Sequence, residues 1–322
     1  MMAESWHACI EDELVQVEGV IQKSLQTRSP ELTEMCTYVT GSGGKRLRPA
    51  ICLLSYHACG GEDPTRPIQI GAAFEIVHSA TLIHDDINDQ GELRRGRKTL
   101  HKQYTVSKAI IAGDYMFAVG FRLLSAVANE IVDFIVEASA YMGVGEFIQK
   151  DFEHSPDVKQ EDYIRIIEGK TAKLFEASAK SGAVITDITS EALDALGDYA
   201  YCLGLGFQIV DDMLDVKGDP HNTGKSVGTD LLEGKPTLPV IYAMQDKVHG
   251  PRIKELFMKP EVTNEDVVEA LKLIQMTDSV SRCMDLAKEF IGKAKDALAP
   301  IPDSRYKTAM LNLADFVVSR DR

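Results

Sequence analysis

The chain has 322 residues, with 35 Lys and Arg against 49 Asp and Glu, so its formal net charge is −14. A charge this negative repels nucleic acids and anionic membrane surfaces at long range, which argues against nucleic-acid partners and generic membrane binding. Hydrophobic residues make up 44% of the chain and charged residues 26%, a composition typical of a globular protein. No apolar run reaches the roughly 18 residues that a membrane span needs.

The N-terminal segment and the cysteines bear on the cellular compartment. Glu4, Glu11, Asp12 and Glu13 stand where a signal peptide would be basic and then apolar. The six cysteines are spread along the chain and form no Cys-x-x-Cys pair. We therefore expect free thiols in a reducing compartment, the cytoplasm.

Apolar residues recur at spacings of three and four, as in Ile70, Phe74 and Val77, which is the helical period. Segments with strand character, such as residues 36–40, are short and isolated, so they lack partners for a sheet. We therefore expect an all-α protein. No linker rich in Gly, Ser or Pro divides the chain, and this predicts one large helical domain over residues 1–322.

Two Asp-Asp-x-x-Asp motifs, at residues 85–89 and 211–215, each follow a largely apolar helical stretch. The first and fifth carboxylates of such a motif share one helix face, where like charges destabilise the helix. A divalent cation reverses this balance, since clustered oxygens suit Mg²⁺, which keeps sites for substrate phosphates. A single acidic motif is often only a solvated helix face, but two copies flanked by apolar residues favour metal binding. The predicted metal ligands are Asp85, Asp86, Asp89, Asp211, Asp212 and Asp215.

Cationic residues are bunched in two places in this acidic chain. They are Lys45, Arg46 and Arg48 after a pair of glycines, and Arg94, Arg95, Arg97 and Lys98 after the first acidic motif. Arg offers a planar fork for two phosphate oxygens and Lys a point charge. A nucleotide-binding P-loop is excluded, because Val39 replaces its first glycine and Arg46 its Ser or Thr. The pattern indicates a phosphate-rich ligand other than a nucleotide.

Several single positions are ambiguous. A lone histidine such as His78, two helical turns before the first acidic motif, is more often a core residue than a ligand. Lys170 has no obvious acidic partner in the sequence, so its burial would be costly unless an anion were supplied. Gln208 lies three residues before the second motif and should point into the same space. The longest irregular stretch carries Lys225 and Lys235, and loops of that length are often functional.

In order and spacing, these motifs resemble those of the trans-isoprenyl diphosphate synthases. The matching segments are residues 43–49, His78, residues 85–96, 169–171, 206–215 and 234–237. The resemblance covers roughly residues 30–320. One position departs from the family pattern, because Lys98 stands where a proline usually follows Arg-Arg-Gly-x. We expect this change to alter a loop without abolishing activity.

The resemblance implies a helical bundle around a deep central cavity, usually in a homodimer. It also implies Mg²⁺-dependent head-to-tail condensation of isopentenyl diphosphate with an allylic diphosphate. By this likeness the aspartates hold up to three Mg²⁺ ions, and Arg94, Lys170, Lys225 and Lys235 share the charge of the allylic diphosphate. Isopentenyl diphosphate would be held by Lys45, Arg48, His78 and Arg95. Thr171 and Gln208 would lie beside the developing allylic cation, which makes Lys170, Thr171, Gln208 and Arg94 the expected catalytic set.

Product length in this family is often set by the residues just before the first acidic motif. Ala80, Thr81 and Val77 lie about 6–12 Å along the helix from the metal site, and short-chain members commonly carry Phe or Tyr at one of the first two positions. The open passage predicts a product longer than C15, in the range C20–C40. A floor would then be built lower, and the candidates are Phe117, Tyr141 and Met142, each of which is otherwise an ordinary core residue.

Three alternatives stay open. A farnesyl synthase differs only in product length. A class I terpene cyclase also ionises allylic diphosphates, but it needs no second diphosphate site, and its second metal motif typically contains Asn or Asp, Ser or Thr, and Glu at wider spacing. A non-catalytic regulatory subunit would be expected to lose part of an acidic motif or of the cationic set, and this chain retains both.

Overall fold

The computed structural model describes residues 5–125, 127–217 and 228–320. Lys225, predicted to bind substrate, lies outside the described residues. Among those that are described, strands occur only in an antiparallel hairpin of β1 (Leu93–Arg94) and β2 (Arg97–Lys98), and the rest of the regular structure is helical. The all-α prediction is confirmed. All six cysteines are free thiols.

The helices lie in two compact units. Unit 1 comprises Met1–Glu137, Leu174–Gly197 and Ala299–Asn312, and unit 2 comprises Ala138–Lys173, Asp198–Leu298 and Leu313–Arg322. The prediction of one domain over the whole chain stays a prediction.

In the first half of the chain, the described residues form a short 3₁₀-helix at Ala8–Ile10 and then seven α-helices. These are α1 (Glu11–Ser24), α2 (Pro30–Thr40), α3 (Leu47–Ala58), α4 (Thr65–Asn88), α5 (Leu100–Gln103), α6 (Val106–Ser125) and α7 (Asn129–Phe152). The strand-like segment at residues 36–40 is the end of α2. That helix starts where the Ser29 hydroxyl accepts a hydrogen bond from the Leu32 N–H, with Pro30 at the first helical position.

The second half begins with α8 (Gln160–Ile167), which continues without a break into a π-helical turn at Glu168–Ala172. The helices that follow are α9 (Lys173–Ala183), α10 (Ser190–Lys217), α11 (Thr229–Leu232), α12 (Leu238–Met244), α13 (Gly250–Phe257), α14 (Asn264–Gln275), α15 (Ser279–Ala297) and α16 (Arg305–Ser319). None of the described helices combines the length and the apolar character that crossing a bilayer requires.

In unit 1, α4 packs closely against α6 and presents the first acidic motif at its C-terminal end. A Cβ atom on Gly113 would lie 2.4 Å from His84 Nε2, and one on Gly120 would lie 2.6 Å from Val77 Cγ2. These contacts show that α6 runs antiparallel to α4. The absence of side chains at the two glycines lets the helix surfaces meet, and this packing fixes the end of α4.

In unit 2, glycines again allow a close approach, here between α7 and the π-helical turn. A Cβ atom on Gly169 would lie 2.5 Å from the Tyr141 carbonyl oxygen and 3.1 Å from Gly145 Cα. Only glycine fits so close a backbone approach. The contact brings the side chains of α7 next to Lys170 and Thr171. Single-turn π-helices often occur at functional sites.

Candidate active site

The first acidic motif lies at the end of α4 in unit 1, where its three carboxylates have different surroundings. Asp85 and Asp89 are partly exposed, whereas Asp86 is 8% exposed. The Asp86 Oδ1 atom accepts a hydrogen bond from Arg94 Nε at 2.6 Å. Burial raises the pKa of Asp86, and the Arg94 charge opposes that shift. The middle carboxylate is therefore engaged within the protein, and the outer two are the accessible ones.

The glycine turn before α3 carries the predicted cations of the N-terminal region. Lys45 is exposed. The Arg48 guanidinium lies 5.0 Å from the centroid of the Phe175 ring. The backbone carbonyl of Arg48 accepts a hydrogen bond from Ser178 Oγ at 2.6 Å. The ring and the hydroxyl fix the start of α3, so Arg48 is held in place.

Burial and the charges of nearby arginines together set the protonation state of His78. Burial lowers the pKa of His78 well below its usual range, and the nearby charges of Arg48, Arg95, Arg94 and Arg46 lower it further. The imidazole is therefore neutral. These guanidinium groups favour an anionic ligand, although carboxylates already pair with Arg46 and Arg94. Unit 1 thus brings together Arg48, His78, Arg94 and Arg95.

The second acidic motif lies in the last two turns of α10, in unit 2. The Asp211 side chain is 44% exposed, whereas Asp212 is 6% exposed. Asp212 Oδ2 accepts a hydrogen bond from the Tyr163 hydroxyl at 2.6 Å, and Oδ1 accepts one from Gln208 Nε2 at 2.8 Å. Thr171 Oγ1 in turn donates to Gln208 Oε1 at 2.8 Å. Thr171 and Gln208 are therefore brought together, in an orientation that Asp212 and Tyr163 fix.

Lys170 has an acidic partner that its sequence neighbourhood does not reveal. Its Nζ atom donates to Gln149 Oε1 at 3.0 Å and forms an ion pair with Glu146. The partner is not obvious in the sequence because the close approach of α7 to the π-helical turn brings Glu146 to Lys170. The pair fixes the position of the ammonium group.

Asp215 lies near Asp212 and Asp230, and of the three only Asp212 is buried, while the other two are half-buried. The Asp230 N–H donates to Asp215 Oδ2 at 3.3 Å. Burial, followed by repulsion among these carboxylates, raises the pKa of all three. Sequence reasoning missed Asp230 and Tyr163. The only signal for Asp230 was its place five residues before Lys235.

Lys235 lies in a turn that several contacts fix. Its Nζ atom lies 2.7 Å from Glu233 Oε2, and its N–H donates to the Asp230 carbonyl at 2.8 Å. The His154 N–H donates to the Gly234 carbonyl at 2.9 Å. The lysine side chain is 14% exposed, and its charge partly offsets that of the nearby Asp230 carboxylate, whose pKa it lowers.

An arginine near the C-terminus also reaches the second motif. Arg320 Nη1 lies 2.7 Å from Asp211 Oδ1, and Nη2 donates to the Phe207 carbonyl at 2.7 Å. The guanidinium carbon lies 4.1 Å from the centroid of the Phe207 ring. The Arg320 side chain is 2% exposed. No sequence motif includes this residue.

The predicted chain-length residues differ in burial and in their position along the axis of α4. Val77 and Ala80 are fully buried, and the Thr81 hydroxyl donates to the His78 carbonyl at 2.8 Å. Phe117 lies on α6 between the contacts of Gly113 and Gly120 with α4, and its ring centroid is 5.8 Å from that of His84. Phe117 is therefore level with Ala80 and not below it, because α6 runs antiparallel to α4.

The two candidates on α7 also differ from each other. Tyr141 is 39% exposed and Met142 is 9% exposed. The Tyr141 ring centroid lies 5.1 Å from Lys173 Nζ. Burial therefore favours Met142 over Tyr141 as a wall residue.

The donor set fits a hard divalent cation that is completed by a substrate. Within the described residues, no group of three or more His, Cys, Asp or Glu side chains is arranged to hold one ion. Mg²⁺ commonly takes one or two carboxylates and keeps waters and substrate phosphates as its other ligands, so a cage made of protein alone is not required. Burial, followed by repulsion among the carboxylates, raises the pKa of Asp212, Asp215 and Asp230, so a bound cation would stabilise their ionised forms.

Comparisons with known proteins agree on one family. The profile of the Polyprenyl synthetase family matches residues 29–274. The chain is 32% identical to octaprenyl diphosphate synthase of Escherichia coli strain K12 over 96% of both chains. It is 35% identical to geranylgeranyl diphosphate synthase of Methanosarcina mazei over 95% of both. Its structure resembles a polyprenyl synthase from Caulobacter crescentus CB15, solved with calcium and isoprenyl diphosphate, with a TM-score of 0.93, 32% identity and coverage of 98% and 97%.

Proposed function

The chain belongs to the polyprenyl synthetase family, and from this premise we propose the reaction and the residues that carry it. Like these relatives, it is a chain-elongating prenyltransferase. The proposed reaction is Mg²⁺-dependent head-to-tail condensation of isopentenyl diphosphate with an allylic diphosphate. The products are an all-trans polyprenyl diphosphate of C20–C40 and free diphosphate. The observation that carries this proposal is that the β1–β2 hairpin places Arg95 against the glycine turn that carries Lys45 and bonds Arg94 to Asp86 of the first acidic motif.

The isopentenyl diphosphate site is assigned to unit 1. Lys45, Arg48 and Arg95 supply positive charge, and the neutral imidazole of His78 supplies a hydrogen-bonding ring nitrogen that does not add to the repulsion among them. Arg48 is already oriented by Phe175, so little conformational entropy is lost when a diphosphate binds. A terpene cyclase, which takes one diphosphate, has no need of this site.

The accessible carboxylates Asp85, Asp89, Asp211 and Asp215 are the proposed ligands of up to three Mg²⁺ ions, while Asp86 and Asp212 orient their neighbours. Bound Mg²⁺ supplies positive charge that stabilises the diphosphate leaving group. The cations Arg94, Lys170, Lys225 and Lys235 share that charge. The fixed positions of Arg94, Lys170 and Lys235 avoid the reorganisation that water would need as the C–O bond breaks.

The allylic cation that results requires stabilisation and the exclusion of water. Thr171 Oγ1 and the Gln208 side-chain oxygen present negative dipole ends. Their orientation is fixed because Thr171 donates to Gln208 Oε1 and Gln208 Nε2 donates to Asp212. The double bond of isopentenyl diphosphate then attacks the cation, and released diphosphate accepts the proton that is lost. Apolar helix surfaces keep water from quenching the cation.

The direct test incubates the purified protein with Mg²⁺, isopentenyl diphosphate and an allylic primer, followed by sizing of the products. Linear chains longer than C15 support the proposal, and farnesyl products identify a short-chain synthase. A hydrocarbon formed without isopentenyl diphosphate indicates a cyclase, and no product indicates a regulatory subunit.

Product length has its own test at Ala80, which is small and fully buried on α4. Ala80→Phe should shorten the products to about C15, because the ring would close the passage five residues before Asp85. Ala80→Ser keeps a small side chain and serves as the matched control. Unchanged products in Ala80→Phe would contradict the open passage.

We also propose that the protein acts as a homodimer in the cytoplasm. Val106, Ile110 and Ile111 on α6 are 48%, 42% and 57% exposed, and exposed apolar groups of this kind favour association. Analytical ultracentrifugation tests the dimer, with Ile111→Glu expected to weaken it. Fractionation of cells tests the compartment, for which the free thiols are the supporting observation.

A further inference from the structure

Arg46 stands between two cations assigned to isopentenyl diphosphate, yet its own side chain is engaged by the protein. Its Nη1 atom donates to Glu75 Oε1 at 2.7 Å, and Nη2 donates to the Thr40 carbonyl at 2.8 Å. Its Nε atom pairs with Glu18. The Arg46 side chain is only 13% exposed. Since both carboxylates neutralise the guanidinium, Arg46 is a poor candidate for a diphosphate ligand, although it belongs to the same cationic run.

The backbone of Arg46 explains why such bonding is needed. Its φ angle is +49°, which is a left-handed backbone conformation that residues other than glycine rarely adopt. Unfavourable conformations persist where the surroundings over-determine them. Arg46 directly precedes α3, so its conformation sets the directions of Lys45 on one side and of Arg48 on the other.

Glu75 connects this turn to a second substrate cation. Its side chain is 6% exposed, and it lies on α4 one helical turn before His78. The Glu75 carboxylate also interacts favourably with the Arg95 charge. The Arg95 guanidinium lies against the turn, because a Cβ atom on Gly44 would be 3.1 Å from Arg95 Nη1. One buried carboxylate therefore serves both the turn and a proposed substrate ligand.

We propose that Arg46, Glu75 and Glu18 form a brace that positions Lys45, Arg48 and Arg95 for isopentenyl diphosphate without contacting it. This inference rests on the proposed function of those three cations. The brace residues are positioning residues, so their loss should weaken the binding of one substrate and leave the chemical step largely intact. The allylic diphosphate, which is assigned to other residues, should be unaffected.

The test measures steady-state kinetics and calorimetric binding of isopentenyl diphosphate. In Glu75→Gln the KM for isopentenyl diphosphate should rise about tenfold, with the KM for the allylic substrate and kcat changing by less than about twofold. Arg46→Lys keeps the charge but loses the planar guanidinium that reaches several acceptors, and it should also raise the KM for isopentenyl diphosphate. Glu18→Gln should have a smaller effect, because that side chain is 35% exposed.

Glu13→Gln is the matched control. It removes a carboxylate from another side-chain contact of unit 1, between Glu13 Oε1 and His57 Nε2 at 3.0 Å. His57 lies ten residues along α3 from Leu47, which is about 15 Å away. This variant should lower thermal stability and leave the KM for isopentenyl diphosphate unchanged.

The outcomes separate the brace from the site on which it depends. If Arg48→Ala and Lys45→Ala raise the KM for isopentenyl diphosphate but the brace variants do not, the brace is overturned and the site assignment stands. If Arg48→Ala and Lys45→Ala also leave this KM unchanged, the site assignment itself fails. A lower kcat with unchanged KM in Glu75→Gln indicates a merely structural role and overturns the brace. If Glu75→Gln does not fold, Arg46→Lys and Glu18→Gln decide the question by the same criteria.

Discussion

The two acidic motifs share one sequence pattern, yet their middle aspartates are satisfied by different chemistry. In unit 1, the Asp86 carboxylate is bonded to the Arg94 guanidinium, a full positive charge. In unit 2, the Asp212 carboxylate accepts hydrogen bonds from Tyr163 and Gln208, which are neutral donors. Neutral donors orient a carboxylate but leave its charge in place. The Asp212 carboxylate therefore depends more on an added cation than the Asp86 carboxylate does.

The motifs agree in how the exposure of their carboxylates varies with position. Asp86 and Asp212 are 8% and 6% exposed, whereas the Asp211 side chain is 44% exposed. Within each motif, the middle carboxylate is engaged by the protein and the first is more exposed, although Asp211 also pairs with Arg320. The pattern Asp-Asp-x-x-Asp thus contains two roles that its letters do not distinguish.

The sharpest way to break this division is to neutralise each position in turn. Asp85→Asn and Asp211→Asn should each lower kcat by about 10³-fold, because a ligand of the ion that stabilises the leaving group is lost. Asp86→Asn and Asp212→Asn should lower it by about tenfold, since an amide retains part of the hydrogen bonding. Single-turnover rates at saturating Mg²⁺ measure the difference. Equal losses at the outer and middle positions would refute the division.

A smaller effect is expected where the middle aspartate of unit 2 is oriented. Tyr163→Phe removes one donor from Asp212 and should lower kcat about tenfold, because Gln208 and Thr171 lose their fixed orientation. Tyr242→Phe is the matched control, since its hydroxyl donates to Gln160 Oε1 at 2.6 Å away from the motif. If both variants keep the wild-type kcat, Tyr163 has no orienting role.

The smallest expected effect concerns stability. Mg²⁺ together with inorganic diphosphate should raise Tm by a few degrees when both are well above their dissociation constants. We expect Asp211→Asn to lose this rise and Asp212→Asn to keep most of it. Differential scanning fluorimetry measures Tm, and a chelator should return the wild-type value to that of the protein alone. A rise that survives in Asp211→Asn would remove Asp211 from the ligand set.

Local patterns in the sequence predicted much of the fold. The three- and four-residue spacing of Ile70, Phe74 and Val77 identified the buried face of α4, and all three residues are fully buried. The same periodicity favoured helices over strands throughout. The segment at residues 36–40 shows the limit of such patterns, because β-branched and aromatic residues there are helical in the context of α2.

Pairings between distant residues could not be predicted in this way. Tyr163 and Asp212 are 49 residues apart in the chain, and Arg46 and Glu18 are 28 apart. No periodicity or motif joins such residues, because their proximity results from helix packing. The sequence therefore indicated which residues carry the chemistry, but not which residues orient them.

The π-helical turn at Glu168–Ala172 has a consequence for the phase of the helix that contains it. One extra residue in a turn rotates everything that follows by about 100° about the helix axis. A helical wheel drawn without interruption from Tyr163 to Leu174 would therefore assign Thr171 to the wrong azimuth. Deleting a single residue from this turn would restore a regular α-helix and turn α9 through more than a quarter of a revolution. At this place the number of residues is constrained as strictly as their identity.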